Sequence, residues 1–99
     1  TLPEDLQQIW SNIPPDVPEI KTYLEPIETW LSRQAQKDDY VLIQGDFGGC
    51  FLMVNFSLAH DLIPVYSTTE RMAVEEGQPN GAVKVTHHFQ HQIFRRYGR

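Results

Sequence analysis

The sequence predicts a small α/β domain with an open sheet, built on one βαβ unit and ending in a C-terminal β-hairpin. Three observations predict it. A short apolar run, Tyr40 to Ile43, leads into Gln44-Gly-Asp-Phe-Gly-Gly49. A longer apolar segment, Cys50 to Leu58, follows. A second apolar run, Ile63 to Tyr66, then opens onto Ser67-Thr-Thr-Glu-Arg71. Strand, glycine turn, helix, strand is the order of a parallel crossover, and open sheets of this kind bind ligands outside the carboxyl ends of their strands. The residues from Gly45 to Gly49 and from Ser67 to Arg71 are thereby expected to face one crevice.

The elements follow in order. Leu2 to Trp10 reads as a short helix, with Thr1 as a possible cap, Pro3 and acidic residues in the first turn, and Leu2, Leu6, Ile9 and Trp10 on one face. Pro14, Pro15 and Pro18 force a rigid loop. From Ile20 to Gln36, apolar residues recur at helical spacing, with Pro26 expected to kink the helix or delay its start. Tyr40 to Ile43 is short and almost wholly apolar, as a strand buried on both faces would be. Leu52, Val54, Phe56 and Leu58 alternate like a strand, but the length of that run and the need for a crossover favour a helix. Met72 to Glu76 and the residues from Ala82 onward flank the turn-rich Gly77-Gln-Pro-Asn-Gly81, which predicts the hairpin.

Ninety-nine residues suit a single domain, 1–99, with a modest core. A doubly wound sheet calls for another strand before Thr1. The lone Cys50 makes no internal disulfide, and the absence of a leader or long apolar span reads as cytoplasmic with no membrane partner. Net charge is −5, yet the tail after Glu76 holds Lys84, Arg95, Arg96 and Arg99 without an acid, so it carries +4 and the rest −9. That asymmetry argues against wrapping long nucleic acid and permits a small anionic ligand at a local basic site.

The glycine turn is too short for a Walker loop and lacks its lysine. Its glycines still let backbone approach a ligand, and the N–H groups of the following helix attract phosphate. Asp46 either accepts from a ribose or adenine group or caps the helix. Ser67-Thr-Thr-Glu-Arg71 offers hydroxyls and a guanidinium for a phosphodiester; the plainer alternative is a polar turn with Glu70 beside Arg71. His87 and His91 share the strand parity of Val83, Val85, Phe89, Ile93, Arg95 and Tyr97, about 13 Å apart along an extended chain, too far for one metal ion. They read as solvent-facing or satisfied histidines, as acid–base or ligand contacts, and least of all as metal ligands. Cys50 opens an apolar helix, where a structural thiol is commoner than a nucleophile.

Five segments together, Leu2 to Ile13, Tyr23 to Ile27, Val41 to Gly48, Ile63 to Arg71 and Phe94 to Tyr97, resemble small Csx-type accessory proteins of type III CRISPR systems, the CARF-related ring nucleases. The resemblance implies a small Rossmann-like (CARF-like) sheet lacking an N-terminal strand and helix. It also implies a homodimer that binds a cyclic oligoadenylate, most plainly cyclic tetra-adenylate, across its two-fold axis. The implied chemistry is metal-independent: a ribose 2′-hydroxyl attacks the neighbouring phosphodiester, which ends antiviral signalling. On this resemblance Arg71 holds the phosphate, Thr68 and Thr69 orient it, and His91 or His87 moves a proton. Gly45, Phe47, Gly48, Gly49 and Ser67 line the ligand site, Gln44 and Asp46 read base or ribose, and Ser11 and Asn12 border the crevice. The rival expectation is a sponge or sensor that holds the ring without cutting it. A third is an interaction subunit using the Cys50 to Ala59 helix and the last strand.

Overall fold

Capping and the placement of glycine and proline set the element boundaries. The computed structural model describes residues 1–99, with residues 74 and 76 described in their backbone alone. Helix α1 spans Glu4–Ser11, α2 Lys21–Gln34, strand β1 Tyr40–Leu42, helix α3 Phe47–Ala59, and strands β2 and β3 Ile63–Gly77 and Val83–Arg96. The sheet order is β1-β2-β3. β1 runs parallel to β2, with Tyr40 beside Ile63 and Leu42 beside Val65, and β3 returns antiparallel to β2. The chain is thus an α/β domain of three helices and a mixed, open, three-stranded sheet. No helix is long and apolar enough to cross a membrane among the described residues.

Three expectations are corrected. Thr1 is not a cap, since α1 begins at Glu4 with Pro3 at the capping position and no side-chain bond there. Pro26 lies inside α2 and does not delay it, the helix starting at Lys21. Helix α3 starts at Phe47, ahead of Cys50, because the Asp46 carboxylate accepts from the Gly49 N–H at 2.9 Å and satisfies one of the free donors of the first turn.

The largest departure concerns β2. Ser67 to Arg71 is not a loop after a strand; the strand continues through it to Gly77. No glycine or further proline interrupts the chain between Pro64 and Gly77, and Thr68 and Thr69 are β-branched. The turn at 78–82 then holds the hairpin, with the Gln78 N–H donating to Ala82 O at 2.7 Å, the Ala82 N–H donating to Asn80 Oδ1 at 3.0 Å, and Gly81 at φ +82°. The hairpin leaves the body as an arm. The radius of gyration is 18.1 Å and the long axis 58 Å, against about 13 Å for a compact chain of this length.

Helices cover one face of the sheet. Ile43 joins the buried cluster of Leu6, Leu24, Ile27, Leu31 and Met53, with Val41, Trp10, Trp30 and Tyr97 packed against it. Tyr40 and Leu42, 66% and 54% exposed, point to the other side, which no helix covers. Along β1's free edge runs a groove of about 920 Å³ lined by Leu2, Trp10, Trp30, Val41 and Ile43. Register places Ser67/Phe94, Thr69/His91, Arg71/Phe89, Ala73/His87, Glu75/Val85 and Gly77/Val83 in successive rows on the uncovered, outer face. Tyr66/Arg95, Glu70/Gln90 and Met72/His88 lie on the inner face.

A β-bulge interrupts the ladder between Ser67 and Thr69, where Gln92 and Ile93 stand opposite Thr68. It shifts the parity of β3. His87 and His91 therefore face outward with Val83, Val85 and Phe89, whereas Arg95 and Tyr97 face inward, which corrects the single parity read from the sequence.

Candidate functional site

Two neighbouring arrangements occupy the carboxyl ends of β1 and the body of β2. The first is a crevice of about 580 Å³ on the inner face, between the glycine turn, α3 and the strand ends. Phe47 and Phe51, one helical turn apart, form one wall at 95% and 61% exposure. Tyr66 and Tyr97 form the opposite wall with ring centroids 4.8 Å apart. Arg95 stands over the Tyr66 ring at 5.8 Å and donates to its hydroxyl at 3.3 Å, bringing a cation beside the tyrosine wall. A large aromatic left almost wholly in water is the unusual observation here, and paired aromatic walls are suited to stacking a planar ring.

The glycine turn is built against α1. Gly45, at φ +136°, brings its backbone so close that a Cβ there would meet Trp10 Nε1 at 3.0 Å, and Gly49 is packed as tightly under Trp10 and Ile13. The Trp10 indole N–H donates to Gln44 O at 2.8 Å. Gln44 in turn accepts at Oε1 from the Ser67 N–H, 2.9 Å away. One chain of hydrogen bonds thus runs from α1 through the end of β1 to β2.

The second arrangement continues from Ser67 across the outer face. Ser67 Oγ is hydrogen-bonded to His91 Nδ1, and the His91 ring lies 4.6 Å from that of Phe94. Thr69 is directly opposite His91, and Arg71 follows in the next outward row, about 7 Å along the strand. Two hydroxyls, an imidazole and a guanidinium therefore share one exposed surface flanked by Phe94 and Phe89.

The sequence-derived site is thereby divided. Gln44, Gly45 and Phe47 line the inner crevice, and Ser67, Thr69, Arg71 and His91 gather on the outer face. Gly48 and Gly49 sit in the first turn of α3, and Asp46 is committed to its cap. Thr68 spends its hydroxyl on the bulge, donating to Ile93 O at 3.1 Å and accepting from Ile93 N at 3.0 Å. Ser11 and Asn12 end α1 away from the crevice lining, and the Asn12 amide bonds back to Gln8. Their neighbour Trp10 is the α1 residue that reaches the glycine turn. Sequence reasoning missed Tyr66, Tyr97 and Arg95; the basic tail was the signal that pointed toward them.

Cys50 lies at the crevice floor. Burial pushes its thiol up, the hydrogen bond with Tyr97 pulls it down, and the Asp46 charge raises it further. Burial likewise raises Tyr97, whose hydroxyl donates to Ile43 O at 2.6 Å. A thiol held protonated is a wall of the crevice and a poor nucleophile. Among the described residues no group of three His, Cys, Asp or Glu side chains is placed to hold a metal ion.

Fold and site together define a small α/β protein with an aromatic crevice and a serine–histidine pair at the carboxyl end of a parallel strand pair. The chain belongs to the Uncharacterized protein MJ1673 family, whose model matches residues 1–95. It is 50% identical over 96 residues to Uncharacterized protein MJ1673 of Methanocaldococcus jannaschii, a match covering 97% of this chain and 74% of that protein. No solved structure matches it.

Proposed function

We propose that the protein binds a cyclic oligoadenylate, with cyclic tetra-adenylate the first candidate, and opens it without a metal ion. The observation that carries this reading is the hydrogen-bonded path from the glycine turn through Gln44 and Ser67 to His91, which joins an aromatic crevice to a polar outer face. An adenine stacks between Phe47, Phe51 and Tyr66. Its phosphodiester crosses the Gln44–Ser67 ridge, where Thr69 and Arg71 receive the charged oxygens.

The nucleophile belongs to the substrate. The 2′-oxygen forms a bond to phosphorus while the bond to the 5′-oxygen breaks, giving a 2′,3′-cyclic phosphate and a free 5′-hydroxyl. With Nδ1–H donating to Ser67, His91 Nε2 takes the 2′-hydroxyl proton, and water protonates the departing oxygen. Arg71 stabilises the charge that grows on the non-bridging oxygens, and the crevice holds the reacting atoms in line.

The parallel β1–α3–β2 unit supports the finer reading as a Rossmann-like, CARF-like sheet, and the groove along β1 is where a further strand of such a sheet would add. Cytoplasmic action in type III CRISPR signalling and a homodimer belong to the same proposal. One observation favours sequestration instead: Thr68 is withdrawn from the ligand by its two bonds to Ile93, leaving the orientation of the phosphodiester to Thr69 and Arg71.

Incubation in chelator with a molar excess of cyclic tetra-adenylate, followed by chromatography, tests the reading. Linear products beyond one equivalent, lost in His91→Ala and Arg71→Ala, are expected. An intact ring that raises the melting temperature would establish the sponge, and an intact ring with no thermal shift would end both readings.

A further inference from the structure

Helix α3 carries one open amide. Apart from Ser57, whose buried hydroxyl donates to Met53 O at 2.8 Å, the helix from Phe47 to Ala59 is otherwise glycine, cysteine and apolar residues. Asn55 is exposed and lines the aromatic crevice, and its amide makes no hydrogen bond within the described residues. Phe47, Phe51 and Asn55 stand four residues apart and so form one stripe, with the amide one turn, about 6 Å, beyond the second aromatic. Asparagine is a costly choice there, because it forms helix less readily than alanine or leucine.

The other polar groups nearby are engaged. Gln44 Oε1 accepts from the Ser67 N–H, the Tyr97 hydroxyl donates to Ile43 O, the Tyr66 hydroxyl accepts from Arg95, and Asp46 is held in the helix cap. Asn55 is the crevice amide whose carbonyl and amino ends are both open. On the reading that the crevice takes an adenine, on which this step rests, we infer that Asn55 selects that base: its Oδ1 accepts from the N6 amino group and its Nδ2 donates to N7. Stacking on Phe51 and Tyr66 tolerates any base, because every base has a π-face. The edge makes the choice. Adenine sets a donor at N6 beside an acceptor at N7, which one amide satisfies together. Guanine and hypoxanthine set two acceptors there, O6 and N7, so the amide oxygen faces another oxygen.

Mononucleotides test this without any ring. The full chain is titrated with AMP, IMP and 7-deaza-AMP, which lacks N7, and the affinities are read by NMR chemical shifts. AMP is expected to bind about tenfold more tightly than either of the others. Asn55→Ala brings AMP down to the IMP level and leaves the melting temperature unchanged or raised, whereas Phe51→Ala weakens all three alike and keeps their ratio. Equal affinity of the wild type for AMP and IMP, 7-deaza-AMP matching AMP, a preference that survives Asn55→Ala, or no binding of AMP would overturn the inference. An AMP preference that depends on Asn55, beside cyclic tetra-adenylate neither bound nor cut, would support it and end the ring reading alone. Ring cleavage by a wild type that binds AMP and IMP equally would do the reverse.

Discussion

Asp46 separates a structural role from a ligand role more cleanly than any other residue of the site. Its carboxylate accepts from the Gly49 N–H at 2.9 Å, and Gly49 is buried beneath Trp10 and Ile13, where water cannot replace the lost acceptor. Removing a helix cap costs about 1 kcal/mol, and stranding a buried N–H brings the total for Asp46→Ala to about 2 kcal/mol. For a chain of this size that lowers Tm by about 8–15 °C. Asp46→Asn retains a cap of nearly equal strength and is expected to stay within about 0.5 kcal/mol of the wild type. Urea and thermal melts of the two variants, followed by far-UV circular dichroism, decide the matter. Equal stability of Asp46→Ala and Asp46→Asn would refute the capping argument and return Asp46 to the ligand. Asn matching the wild type in stability while losing nucleotide binding would show that the charge has a second use.

Two further outcomes follow from the core and the crevice floor. Leu24 is 0% exposed at the centre of the helical cluster, so Leu24→Ala is expected to cost about 2–5 kcal/mol in urea denaturation; a loss below about 1 kcal/mol would mean that the cluster is not the core. Cys50 and Tyr97 both hold their protons more tightly when folded, so their contribution is intact below the ordinary thiol value of about 8.5 and fades as pH rises through the raised, folded values. The urea midpoint is therefore expected to fall between pH 8 and 10.5 more steeply in the wild type than in Cys50→Ser, and parallel curves would contradict this.

The parallel unit was legible because apolar runs bounded by Gly45 and Asp61 leave few alternatives, and the order strand, turn, helix, strand admits one crossover. The length of β2 was not. Ser67, Thr68 and Thr69 are as much at home in a strand as in a turn, and what decides is their cross-strand company of Phe94, Ile93 and His91, more than twenty residues away. The division of the site between two faces was hidden for the same reason, since residues adjacent in sequence, Tyr66 and Ser67, point to opposite sides once the strand continues. Trp10 escaped as a site residue because its helical spacing marks it as core, and its indole N–H serves the glycine turn as well. Asp46 and the glycines had two readings in the sequence, and the capping bond gives Asp46 its structural one.

The two bonds from the Thr68 hydroxyl to Ile93 hold an extra residue in place on β3, and their reach is longer than their size. If the bulge relaxed into a regular ladder, β3 would slip by one position against β2, and Phe89, Val85 and Val83 would exchange sides with their polar neighbours along an arm some 30 Å long. Thr68 is in this sense the phase lock of the hairpin. A methyl in place of that hydroxyl leaves volume and β-branching nearly unchanged, yet it removes both bonds that hold the bulge, and with them a signal that sets which way the far end of the arm faces.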